Sequence, residues 1–232
     1  MEIYPVVHIN DTYVAREQVT LALDFGADGV YLIDHNGRTD TILETLRLIR
    51  SERPDSFIGI NLLGHRIDEV YDLIERIAND GDETLLPSAV WADNVENNAF
   101  DPTEFLERKN RNALLGKVKL LGGISFKYTS TFSENPEIAG AEVARLRDSV
   151  DVVTTSGAGT GKPPTVEKLK AVRQAACGKP VAVASGVSAG NIYDYAGLVD
   201  QILVSTSIET YPYSGVFDSQ KLEELIRIAH GI

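Results

Sequence analysis

With 232 residues, 43% of them hydrophobic and 24% charged, the chain has the composition of a globular protein with a packed core, which excludes disordered and collagen-like classes. Its formal net charge of -12 gives an averaged field that repels nucleic-acid phosphates and anionic membranes, so neither is an expected partner. The lone cysteine, Cys177, excludes an intramolecular disulfide, and neither a signal-peptide pattern nor an apolar run of roughly 20 residues is present, so a cytoplasmic protein without membrane insertion is expected.

In chain order, the apolar run Ile3–Ile9 is followed by helix-forming Tyr13–Phe25, Gly29–Ile33 by Thr39–Glu52, and Phe57–Leu62 by Ile67–Asn79. Ser88–Ala92 then leads into the least regular stretch, Asn94–Pro102. It reads as a long βα loop of the kind that serves as a lid or a contact in a homo-oligomer. Val118–Phe126 and Val150–Thr155 are the fifth and sixth strand candidates. Thr165–Ala176 is a helix with Thr165, Val166, Leu169 and Val172 on one face and two prolines, Pro163 and Pro164, at its start. Pro180–Ala184 and Gln201–Val204 complete eight strands, each followed by helix-forming sequence, and Gly26 and Gly178 fall where helices stop. Strictly alternating strands and helices predict a parallel sheet. An open doubly wound sheet usually keeps its phosphate loop after the first strand, where this chain has His8-Ile9-Asn10-Asp11 without glycine. The expectation is therefore an α/β TIM barrel, a (β/α)8 fold spanning residues 1–232 as a single domain and close to the roughly 250 residues typical of it.

Residues 154–164 read TTSGAGTGKPP. A P-loop would need glycine where Ser156 stands and Ser or Thr where Pro163 stands, and the spacing of Gly157, Gly159 and Gly161 is not that of a dinucleotide fingerprint. The stretch is either a tight connection or a loop rich in unshielded N–H groups at the end of the sixth strand. The next two strands end in Ser185-Gly186-Val187-Ser188 and Ser205-Thr206-Ser207, where barrels commonly bind phosphate. Gly186 would let the backbone approach an oxyanion, and Ser207 would open a short helix aimed at the same anion; the bland alternative is ordinary caps and turns.

The polar residues ending the strands are His8, Asp34, His35, Asn61, Asp93, Lys127, Thr155 and Ser156. His8 is a candidate acid or base, against a core histidine bonded to backbone. Asp34 and Asp93 are candidates to orient a base or bind substrate hydroxyls, against loop or cap carboxylates. Lys127, after the apolar Leu120–Phe126, is expected at the mouth as a phosphate ligand or a Schiff-base amine, against a solvated loop lysine. The catalytic set is thus His8, Asp34, Asp93 and Lys127, and the phosphate and substrate set is Asn61, Ser156, Gly157, Ser185, Gly186, Ser205, Thr206 and Ser207. No metal is expected, because paired-histidine spacings are missing, and no cofactor. His65 and His230 sit on helix-rich stretches and read as solvated, and Cys177 reads as an inert helix-end residue.

The blocks DVVTTSGAGTGKPPTVEKLKAVRQ, VAVASGVSAGNI, ILVSTSIE and GVFDSQKLEELI, in that order and spacing, resemble the BtpA family of barrel proteins. Upstream, VVHI, GADGVYLID, IGINLLG and GGISFKY also look like its strand-end blocks, so the resemblance covers most of the chain. One departure is at the start, where Asn10-Asp11-Thr12 replaces the proline-rich segment associated with the family. The resemblance implies a distant member with a phosphate-binding barrel, and the family name carries a role in photosystem I assembly. Two functions are therefore expected to compete. One is an isomerase, lyase or transferase acting on a sugar phosphate or phosphoribosyl compound; the other is a non-catalytic assembly or interaction factor, which would have no need for converging acids, bases and a lysine.

Overall fold

The computed structural model describes the backbone of residues 1–95 and 102–232 and the side chains of 1–95 and 107–232. Eight short strands run parallel to their neighbours in chain order: β1 (Glu2–His8), β2 (Val30–Ile33), β3 (Ile58–Asn61), β4 (Ala89–Ala92), β5 (Lys119–Gly123), β6 (Val152–Thr155), β7 (Val181–Val183) and β8 (Gln201–Val204). The sheet closes where β1 pairs with β8, with Tyr4 opposite Leu203 and Pro5 opposite Val204. These strands are mostly apolar and buried along their length because both faces are covered, as a parallel sheet requires.

Two apolar layers result. Inside the barrel, Tyr4, Tyr31, Trp91 and Phe126 meet edge to face at centroid distances of 5.7 to 6.2 Å, filling the lumen with Leu121 and Leu203. Outside lie the helices α1 (Thr12–Asp24), α2 (Thr39–Glu52), α3 (Ile67–Asp80), α4 (Pro102–Arg111), α5 (Ala113–Lys117), α6 (Pro136–Leu146), α7 (Val166–Ala176) and α8 (Ser219–His230), and all but α4 contribute described side chains to the core around the sheet. Several starts are set by side-chain caps: Asp11 accepts from the amides of Tyr13 and Val14, Asn135 caps α6 ahead of Pro136, and Thr165 caps α7. No helix among the described residues is long and apolar enough to cross a membrane.

Three details depart from the sequence expectation. β5 stops at Gly123 rather than Phe126: Ile124 N still donates to Thr154 O of β6 at 2.9 Å, but the chain then turns through a left-handed Ser125 (φ 49°), and Phe126 is buried beyond the end of the strand. β7 is followed only by a 3-10 turn, Ile192–Tyr195, whereas β4 and β5 are joined through two helices, α4 and α5. Ser207 opens no helix; it sits in a turn with its hydroxyl donating to Val187 O at 2.6 Å, and the next helix begins at Ser219. Residues 96–101 of the expected Asn94–Pro102 loop lie outside the described residues.

Candidate active site

The C-terminal ends of the strands open on one cavity of about 210 Å³. His8, His35, Asp93 and Lys127 line it on one side, and Ser185, Gly186, Ser205 and Thr206 on the other. Gly161, from the loop after β6, lies beside the second group, and Tyr128 and Tyr213 also line the cavity. A second cleft of about 380 Å³, lined by Asn61 and Arg66 among others, shares Asp93 and Lys127 with the first, so these two residues stand at a waist between two lobes. The hollow at the opposite end of the barrel, about 500 Å³, is lined by Arg50, Phe57 and Lys119 and contains none of the strand-end groups.

His8 ends β1 with its ring edge-on to His35 at 4.9 Å and Nδ1 facing Glu209 Oε1 at 3.5 Å. Burial, with His35 and Lys127 nearby, pushes its pKa down from 6.5 to about 4, so the ring is neutral at pH 7. Asp93 accepts a 2.9 Å hydrogen bond from Asn61 Nδ2, and burial raises its pKa against the opposing effects of Asn61, Lys127 and His35. The Lys127 amine reaches the mouth and donates to Ala184 O at 3.1 Å; burial lowers its pKa, with Asp93 acting in the other direction. A neutral imidazole, a carboxyl inclined to hold its proton and a lysine inclined to lose one therefore share one enclosure.

The glycine loops are bound chiefly to each other. Gly157 N donates to Ser185 Oγ at 2.8 Å, and that hydroxyl donates onward to Lys162 O at 2.9 Å. Gly186 adopts φ +68° and its Cα packs so closely on Lys162 and Pro163 that a Cβ would overlap Pro163 N. A Cβ on Gly157 would likewise overlap Lys162 O. Glycine at 186 is thus required for a loop-to-loop contact as well as for lining the cavity.

Of the residues singled out from sequence, His8, Asp93, Lys127, Ser185, Gly186, Ser205 and Thr206 converge on the cavity, and Asn61 lines the adjoining cleft while holding Asp93. Asp34 does not line it: its carboxylate accepts from Asn36 N at 2.7 Å and Arg38 Nε at 2.7 Å. Burial pushes that carboxyl up, but these partners outweigh it and hold the pKa below the ordinary value. Ser156 and Gly157 are internal to the loop; Ser156 Oγ accepts from Lys127 N at 2.7 Å and donates to Gly157 O at 3.0 Å. Ser207 is likewise spent on Val187.

Two residues go unnoticed in sequence reasoning. Glu209, five residues beyond β8, folds back beneath the mouth with a fully buried side chain; it accepts from Ser205 Oγ at 3.0 Å and Tyr213 N at 2.6 Å and faces His8. Lys168, on α7, is fully buried and donates to Ser125 O at 2.9 Å and Ser156 O at 2.7 Å. The signal for both was a charged residue amid buried neighbours: Glu209 follows Ile208, and Lys168 precedes Leu169 on the inward face of its helix. Among the described residues, no group of His, Cys, Asp and Glu is arranged to hold a metal ion.

Similar architecture occurs in phosphoribosyl anthranilate isomerase from Thermus thermophilus, at 17% identity over 100% of both chains with a TM-score of 0.64. It also occurs in N-(5'-phosphoribosyl)anthranilate isomerase from Pyrococcus furiosus, at 18% identity over 100% of both chains and a TM-score of 0.61. The tryptophan synthase alpha subunit from Legionella pneumophila is similar at 12% identity, covering 100% of this chain and 93% of its own, with a TM-score of 0.63. At such identities the likeness shows the fold alone. No curated protein matches the chain. The model of the BtpA family matches residues 95–231, which takes in the glycine loops, Lys127 and Glu209, and on that match the chain belongs to the BtpA family.

Proposed function

We propose that this protein is an enzyme acting on a small phosphorylated metabolite, a sugar phosphate or phosphoribosyl compound, by proton-transfer chemistry of the isomerase, lyase or transferase kind. One observation carries the reading: a single cavity is lined both by the glycine and hydroxyl loops after β7 and β8 and by His8, His35, Asp93 and Lys127. The phosphate would lie against the backbone of Gly161 and Gly186 and the amide and hydroxyl of Thr206, placing the rest of the ligand toward the strand ends of the first half of the barrel. Glu209 takes the Nδ1 side of His8, which leaves Nε2 as the lone-pair nitrogen toward the ligand, and a neutral ring is ready to accept a proton at pH 7. Asp93, with its pKa raised by burial, is suited to return one. Names among the structural neighbours point the same way, since two are isomerases of a phosphoribosyl compound. An assembly factor would have no use for this convergence.

The test is calorimetric titration of ribose 5-phosphate into the protein and into Thr206→Val, which keeps the shape of the half-buried side chain and removes its hydroxyl. Saturable binding displaced by inorganic phosphate and weakened on the order of tenfold in the variant is expected, as for loss of a hydrogen bond to a charged group. Absence of binding to the wild-type protein by any sugar phosphate would remove the reading.

A further inference from the structure

Lys127 is presented to the cavity by a turn that the rest of the fold goes to some length to hold. Ser125 and Tyr128, which bracket Phe126 and Lys127, both adopt left-handed backbone conformations, at φ 49° and 64°, that residues with side chains rarely adopt and that persist only where surroundings enforce them. The enforcement is visible. Ser125 Oγ exchanges hydrogen bonds with Ser133 N and O, both at 3.1 Å, and Lys168 donates to Ser125 O from below. The Lys127 amide donates to Ser156 Oγ, and Tyr128 Oη accepts from Thr160 N at 3.1 Å. Two strained residues and the lysine amide between them, fixed at five points, are an unusual outlay for placing an ordinary loop lysine.

The amine so placed is not used as a structural cation. Among the described residues it forms no ion pair within 4.0 Å; its hydrogen bond goes to a backbone carbonyl, Ala184 O, and it lies 5.5 Å from the centroid of the Phe126 ring. Leu63, Trp91 and Leu203 line the same cavity, so water is partly excluded from its surroundings. Asp93 and His8 stand in the same enclosure, on opposite sides of a protonation balance, and the anion loops lie across it.

From this arrangement we infer that Lys127 is a Schiff-base nucleophile, and that the ligand of the cavity is a phosphorylated aldehyde or ketone. The inference rests on the function proposed above and narrows its substrate class. In the step, the Lys127 nitrogen bonds to the carbonyl carbon, and the carbonyl oxygen takes up two protons and departs as water. An ammonium and a carbonyl thus give a protonated imine and water, with no change of oxidation state and no net gain or loss of charge. Asp93 and His8 carry the protons between nitrogen and oxygen. Burial lowers the pKa of the amine, which increases the unprotonated fraction available for attack. The imine then serves as an electron sink for breaking or moving a bond next to the former carbonyl.

The test uses the whole wild-type protein incubated with glyceraldehyde 3-phosphate at equimolar ratio, reduced with borohydride, and mapped by peptide mass spectrometry. Lys127 is expected to carry the reduced adduct on the order of tenfold faster than the exposed Lys117, Lys119 and Lys170, with inorganic phosphate slowing it, because the phosphate site holds the aldehyde beside the amine. Lys127→Met should lose that adduct and keep the slow surface labelling. Lys127→Arg, confirmed as folded by circular dichroism, serves if the methionine variant does not fold. Labelling of Lys127 no faster than of Lys170 overturns the inference. Glyceraldehyde, which lacks the phosphate, separates the two claims: if it labels Lys127 as fast as the phosphorylated aldehyde and phosphate gives no protection, Lys127 remains the nucleophile and the phosphate site is lost.

Discussion

The two halves of the barrel mouth handle their polar groups in opposite ways. After β6 and β7, hydroxyls and amides are spent on one another: Gly157 on Ser185, Ser185 on Lys162, Asn191 Nδ2 on Gly186 O, with Lys168 pinning the base. Across the cavity, His8, His35, Asp93 and Lys127 have few or long contacts, and the pKa values of His8, Asp93 and Lys127 are displaced by burial. The lesson is a division of labour: a satisfied half holds the shape, and an under-satisfied half keeps polar groups free to meet a ligand. Substitutions in the first half should therefore damage stability, and those in the second should spare it.

The largest effect is expected at Gly186. Gly186→Val places a branched side chain at φ +68° and against Pro163. Left-handed strain of about 1–3 kcal/mol then adds to an overpacking cost of about 1–3 kcal/mol. Urea unfolding followed by circular dichroism should show that loss, and phosphate affinity should fall with it. Unchanged stability would break the comparison at its firmest point.

Next comes Lys168, whose amine burial lowers from 10.5 to about 8. Between pH 8 and 10.5 the unfolded chain binds more protons at this residue than the folded one, so stability should rise with pH by up to about 1.4 kcal/mol per unit. Below pH 8 both forms are protonated and the contribution is flat. Lys168→Met should lack that rise and, with the Ser125 and Ser156 carbonyls left without the amine, be destabilised by about 1–3 kcal/mol at pH 7. Parallel urea titrations at pH 7, 8 and 9.5 would reveal a missing slope difference.

His8 sharpens the comparison from the other side. Its folded pKa of about 4 lies below the ordinary 6.5, so between those values the unfolded chain binds more protons and stability falls on acidification, by up to about 1.4 kcal/mol per unit. His8→Asn should lose this acid sensitivity without losing neutral-pH stability, and NMR titration of the wild-type ring should find its midpoint well below 6.5. The smallest effect is expected at Tyr128→Phe, within about 0.5 kcal/mol, because the side chain is exposed and water can serve Thr160 N in its place.

The strands were legible because burial on both faces makes a parallel strand mostly apolar, and all eight runs contain strands. The end of β5 was not, since Phe126 is apolar for packing in the core rather than for sheet pairing. The same ambiguity divides the site. His8, Asp93 and Lys127 stand where an apolar run stops and so were readable, but the choice between Asp34 and His35 depends on how the chain turns after Ile33: it directs Asp34 to Asn36 and Arg38 and leaves His35 lining the cavity. Glu209 was missed because it reaches the mouth by doubling back through a turn, beyond Ser207, where strand-end reasoning stops. The loops after β7 and β8 line one cavity, as strand order implies, yet the mutual bonding of Gly157, Ser185 and Gly186 is a contact between loops that no local pattern encodes.

Closure of the barrel gives the mouth a kinetic history. Gln201 Nε2 donates to Glu2 Oε2 across 199 positions of sequence, and the His8–Glu209 contact at the other end of the same seam has nearly the same separation. Joining the two ends of the chain carries the largest loop entropy in the molecule, so this seam is expected to zip last, after the transition state. A contact formed that late leaves the refolding rate alone and acts on the return path: Glu209→Gln should speed unfolding in stopped-flow traces and leave refolding unchanged. Until that last seam forms, the Nδ1 side of His8 faces no carboxylate, even in a nascent barrel that already holds most of its core.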